Sequence, residues 1–128
     1  VGLIPKSNLK LNRGDYAFLR RDDGRFAILV FIAPVDGMRS AFWGAILGVV
    51  CRVASLPNSA TLPVSTMALM HIGVFAHNDA PIVGNLDARL DQPDIQGRLL
   101  ATRQRNRVLG RAAVARVAGE LRSPESRG

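Results

Sequence analysis

The chain has 128 residues, 48% of them hydrophobic and 21% charged, with a formal net charge of +7. That length fits one domain of ordinary size, and the composition excludes a wholly disordered chain. The single cysteine, Cys51, excludes an intramolecular disulfide and cannot build a zinc site alone.

The charge is unevenly placed. Residues 1–97 hold nine Lys and Arg against eight Asp, a net +1, whereas residues 98–128 hold eight Arg against two Glu, a net +6. A basic balance ordinarily points to nucleic acid, but here it belongs to the last quarter of the chain. Val1-Gly2-Leu3-Ile4-Pro5-Lys6 has no basic start followed by an apolar run, so no secretory signal is expected. The most apolar stretch, Ala41–Val50, is about half the length a membrane-spanning helix needs, and Arg39 and Arg52 bracket it. A buried core element and a soluble, cytoplasmic protein without a membrane partner are predicted.

Asn12-Arg13-Gly14-Asp15 is a turn cluster. Tyr16–Arg20 then alternates as a strand, with Tyr16 and Phe18 on one face and Ala17 and Leu19 on the other. Asp23-Gly24 supplies a hairpin turn that tolerates positive φ. The return strand, Arg25–Ala33, is a continuous apolar run, which implies cover on both faces. Pro34–Gly37 is the next turn. Ala41–Ala54 reads as a bent strand or strand pair, because Gly44 and Gly48 weaken a helix and Val49, Val50 and Val53 favour strands. Leu56–Pro63 is a loop, Val64–Leu69 one helical turn, Ala68–Phe75 a strand, Ala80–Val83 another, and Gly84–Gly97 mostly loop.

Residues 98–122 read as one amphipathic helix. Leu109, Ala113, Val117 and Leu121 recur every four residues, and so do Arg103, Arg107 and Arg111. Ser123-Pro124 ends the helix, and residues 123–128 are expected to fray. The arginine face has three open readings: a solvated surface, a contact for an acidic protein, or a contact for nucleic acid.

Two stretches carry a resemblance. Gly14-Asp15-Tyr16-Ala17-Phe18 followed by Asp23-Gly24-Arg25-Phe26-Ala27, and later His71-Ile72-Gly73-Val74-Phe75 followed by Pro81-Ile82-Val83-Gly84-Asn85-Leu86, resemble in order and separation the immunity protein 26 family of bacterial polymorphic-toxin systems, over roughly residues 12–90. The family usually carries a tryptophan just before the Ile-x-Gly turn. Here Ala80-Pro81 stands there, and the arginine-rich tail has no counterpart. The resemblance implies a mostly β fold, no cofactor, and the binding and neutralising of a cognate toxin domain.

Catalytic and metal constellations are thin. His71 lies in an apolar strand and reads as a satisfied core histidine, while His77-Asn78-Asp79 reads as an exposed turn. Asp87, Asp91 and Asp94 have helical spacing, but Pro93 breaks it, so a solvated loop is expected, and the calcium-loop pattern is absent. Cys51 is expected to be an inert buried thiol and Trp43 a core residue.

The expectation is an α+β, mostly β domain: a small twisted or barrel-like antiparallel sheet in residues 1–97 with a C-terminal amphipathic helix packed on it. The expected function is that of an immunity protein, not an enzyme, without metal or cofactor. The alternative is a basic nucleic-acid-binding accessory module using the tail. Candidate partner contacts are His77, Asn78 and Asp79 with Arg103, Arg107 and Arg111.

Overall fold

The computed structural model describes residues 4–58, 61–103, 108–109 and 111–121. In chain order the elements are β1 (Asp15–Arg20), β2 (Phe26–Val35), β3 (Met38–Leu47), β4 (Val64–His71), α1 (Gly73–His77), β5 (Gly84–Asn85), a 3₁₀ turn (Asp87–Arg89), α2 (Gln92–Arg103), β6 (Val108–Leu109) and α3 (Arg111–Gly119). The strands form one open sheet in the order β5-β1-β2-β3-β4-β6. All neighbours are antiparallel except β4 and β6, which run parallel. The fold is therefore α+β and mostly β, as expected, and the sheet is open rather than barrel-like.

β1 and β2 pair from Tyr16 opposite Val30 to Arg20 opposite Phe26. Gly24 occupies the turn with φ +81°, a conformation that costs glycine nothing. Both faces of β2 are covered, as its unbroken apolar run requires. On one face Ala27, Leu29 and Phe31 join Ala17, Leu19, Phe42, Met70 and Phe75, closed over by Val114 and Ala118 of α3. On the other Ile28, Val30 and Ile32 join Trp43, Leu47, Cys51 and Leu62, closed over by Ile95 and Leu99 of α2. Trp43 and Cys51 are both core residues, 7% and 4% exposed.

Several local expectations are overturned. Val64–His71 is a strand rather than a helical turn. Its residues pair along β3 from Leu47 opposite Val64 to Ala41 opposite His71, and β-branched Val64 and Thr66 suit the pleat. The segment expected as a strand to Phe75 leaves the sheet after His71, where the His71 Nδ1 accepts the Gly73 N–H at 2.9 Å and α1 begins. That ring is exposed rather than in the core. The strand expected at Ala80–Val83 is displaced to Gly84–Asn85.

Pro93 does not break a helix but helps start one. It stands in the first turn of α2, where a missing N–H costs nothing. Asp91 caps that helix by accepting the Asp94 N–H at 3.2 Å, and Asp94 pairs with Arg98 at 3.1 Å. The single helix expected over 98–122 is instead the end of α2, the short strand β6 and the separate α3. A continuous helix would have carried Gly110 in its interior and stacked three arginines on one face, both unfavourable. Pairing of β6 with Leu69 and Met70 of β4 offers the backbone another partner.

Candidate functional site

The turn between β1 and β2 folds one of its own side chains inward. Arg21 is 9% exposed, and its guanidinium donates to the Leu121 carbonyl at 2.8 Å and the Gly119 carbonyl at 3.3 Å. It also pairs with Asp23 at 3.1 Å. Those carbonyls lie at the C-terminal end of α3, where the helix leaves acceptors unsatisfied and its dipole favours a cation. Asp23 accepts the Arg25 N–H at 3.0 Å and so shapes the turn that presents Arg21. The hairpin thus holds α3 against the sheet. Arg21→Ala is expected to cost about 2 kcal/mol, since two hydrogen bonds to a charged group are lost. Urea unfolding would read this, and Arg21→Lys would recover less than half because an ammonium cannot reproduce the planar fork.

α1 ends beside this turn. Asn78 turns inward, its Nδ2 donating to the Val74 carbonyl at 2.9 Å, and the Ala80 N–H reaches back to the Phe75 carbonyl at 2.8 Å. Asp79 takes the left-handed conformation, φ +48°, that such a helix end requires. Asn78 and Asp79 therefore build the helix terminus, and His77 is the neighbour left exposed and available. Asp79→Gly is expected to stabilise the fold by about 0.5–1 kcal/mol and Asp79→Val to destabilise it, because only glycine is free of left-handed strain. A pair of thermal melts would show the opposite signs.

His77 lines an open groove of about 520 Å³ with Arg20, Arg21, Asp22, Arg116 and Gly119. The C-terminal ends of α1 and α3 converge there, which explains the gathering of basic side chains. Arg20 and Arg116 are exposed, Arg21 is committed to α3, and Asp22 is the groove's carboxylate. Such a surface offers charges of both signs on a rigid base, suited to another protein's polar surface.

Of the residues singled out from sequence, His77, Asn78 and Asp79 stand together at the end of α1. Arg103 closes α2 and Arg111 opens α3, helices that cover opposite faces of the sheet, and Arg107 lies outside the described residues. Arg20, Asp22 and Arg116 were missed, because nothing local shows that a hairpin tip and a distant helix share a groove. Among the described residues, no three His, Cys, Asp or Glu side chains are placed to hold a metal ion. No described helix is long and apolar enough to cross a membrane.

The two segments behind the family resemblance do meet. β1 pairs with β5 through Asp15 opposite Asn85 and Tyr16 opposite Gly84. The Asn85 Nδ2 donates to the Asp15 carboxylate and to the Arg13 carbonyl, both at 2.9 Å, and its Oδ1 accepts the Asp87 N–H at 3.0 Å. Gly84 lies under the Tyr16 ring, where an added Cβ would stand 2.9 Å from a ring carbon. His71–Phe75, however, is not the strand the resemblance implies, since α1 starts at Gly73. No family model, no curated protein and no solved structure matches this chain.

Proposed function

We propose that this protein is an immunity protein that binds a cognate bacterial toxin domain in the cytoplasm and neutralises it by reversible steric inhibition, without a cofactor. What supports the reading is that Gly14-Asp15-Tyr16 and Gly84-Asn85, about 70 residues apart, form one hydrogen-bonded unit. One part of each half of the resemblance, Gly14-Asp15-Tyr16 and Gly84-Asn85, thus belongs to a single structural feature, while His71-Ile72-Gly73-Val74-Phe75 lies outside it. Contact with the toxin is through the groove of His77, Arg20 and Arg116, which rests on the sheet through Arg21. A stable complex needs about 800 Å² from each partner, roughly a tenth of the 7324 Å² surface. An inhibitor that imitates phosphate to block a nuclease would be acidic. This groove is mainly basic, so the toxin surface it meets is acidic or lies away from any nucleic-acid cleft.

The test is co-purification with toxin domains cloned from the genes adjacent to that of this chain. A 1:1 complex is expected by size-exclusion chromatography, weakened at least tenfold by Arg116→Glu combined with His77→Asp. Failure to form any complex overturns the proposal. Nucleic-acid binding that weakens steeply with salt would favour the basic-module alternative instead.

A further inference from the structure

A second surface lies at the other end of β2, roughly 30 Å from the groove at about 3.3 Å per residue. It starts from Asn8, the one polar residue buried among those described, at 5% exposure. The Asn8 Nδ2 donates to the carbonyls of Met38 and Ala41, both at 2.6 Å, and its backbone N–H donates to the Arg39 carbonyl at 2.9 Å. These bonds fix residues 4–11 against the hairpin between β2 and β3. The side chains beside this anchor point the opposite way: Leu9 is 65% exposed, Met38 45% and Ile4 37%.

Leu9 and Met38 line one groove of about 320 Å³, together with Pro34, Asp36 and Arg39. Ile4, Lys6 and Lys10 line a second of about 320 Å³ along the same segment. Single exposed apolar residues are ordinary, but three of them gathered by a buried polar anchor and rimmed by charge mark a contact surface. Around them stand exposed Lys6, Lys10 and Arg39 against one carboxylate, Asp36. The first 97 residues carry a net charge of only +1, so this is a local excess that the chain's overall balance conceals.

We infer that this patch docks a segment of a partner protein that carries a large apolar side chain flanked by carboxylates. The apolar side chain enters the groove between Leu9 and Met38, whose flexible thioether adapts to its shape. The flanking carboxylates meet Lys6, Lys10 and Arg39. The concavity fits a side chain better than it fits a flat bilayer. The inference does not depend on the toxin reading, which uses the opposite end of the sheet.

The test is selection of a random peptide library on phage against the full chain. Enriched sequences with an apolar residue and two or more nearby Asp or Glu are expected. A synthetic peptide of the enriched sequence should bind at least tenfold more weakly to Leu9→Asp and to the Lys6→Glu, Lys10→Glu pair. It should bind unchanged to Leu100→Asp, a control at a site 65% exposed on α2. Leu9 is largely exposed, so the variant should melt with the parent; if it does not, the lysine pair carries the test. Absence of enrichment, enrichment of sequences without acidic residues, or binding that survives both variants overturns the inference. So does Leu9-dependent sedimentation with phosphatidylserine vesicles that the peptide fails to compete.

Discussion

Phe42→Ala is expected to cost about 3–5 kcal/mol and to lower the melting temperature by about 10–20 °C. Phe42 is fully buried and is the middle ring of a column, stacked on Phe31 at 5.5 Å and on Phe75 at 5.4 Å between centroids. Gly44 makes room for it, since a Cβ there would lie 2.6 Å from a Phe42 ring carbon and from the Met70 sulfur. The surrounding strands are pinned by their ladders and cannot collapse into the space, so the cavity term adds to the transfer term. The consequence reaches the groove. α1 has five residues, too few to be stable alone, and its buried anchors are Val74 and Phe75. Losing the ring beneath Phe75 loosens the helix that carries His77, so binding through the proposed contact groove should weaken together with stability. Phe42→Leu should cost about 1–1.5 kcal/mol. A loss below about 1 kcal/mol for the alanine variant would mean that the aromatic column does not hold α1 in place.

The second large effect is expected at Gly14. Its φ is +93°, and an added Cβ would lie 2.5 Å from the Asp87 nitrogen and 2.7 Å from its Cα. Those are backbone atoms, and neither side can yield. Gly14 donates to the Phe31 carbonyl at 2.8 Å, and its own carbonyl accepts the Leu86 N–H at 2.9 Å. Gly14→Ala therefore combines left-handed strain of about 1–2 kcal/mol with overpacking of about 1–3 kcal/mol. A total of about 2–5 kcal/mol is expected, and the β1–β5 junction should open first. Gly24→Ala separates the two contributions: φ there is +81°, but nothing stands within 4 Å of the added Cβ. That variant should cost only the strain. Equal losses at the two glycines in urea titrations would show that packing against Asp87 contributes nothing.

The sheet's first half was legible because its signals are local. Alternation over Tyr16–Arg20, an Asp-Gly turn and an unbroken apolar return each specify their own structure without reference to distant residues. The misreadings have particular causes. Pro93 breaks a helix only from its interior, and the first turn of a helix is the place where a missing N–H is harmless. The five residues of α1 are too short for periodicity to separate helix from strand. In the tail, the four-residue spacing runs across an element boundary, because Leu109 belongs to β6 and only the later positions lie on or beside α3. The buried residues are Val114 and Ala118, with Val117 and Leu121 partly covered. At the candidate site, exposure of His77 was legible from its turn-forming neighbours. Inward use of Arg21 was not, because its carbonyl partners belong to a helix that no nearby residue announces.

That link between Arg21 and Leu121 spans 100 residues. It cannot close until the four long strands, α1 and α2 have been made; α2 covers one face of the sheet, and the other stays open until α3 arrives. A nascent chain that has completed β4 carries two bare apolar faces with no helices to cover them, a state exposed to aggregation and to chaperone capture. So many distant pairings also place the protein among high-contact-order folds, whose folding takes milliseconds to seconds rather than microseconds. The arginine-rich stretch that gives the chain most of its charge is then also the part whose arrival ends this vulnerable interval.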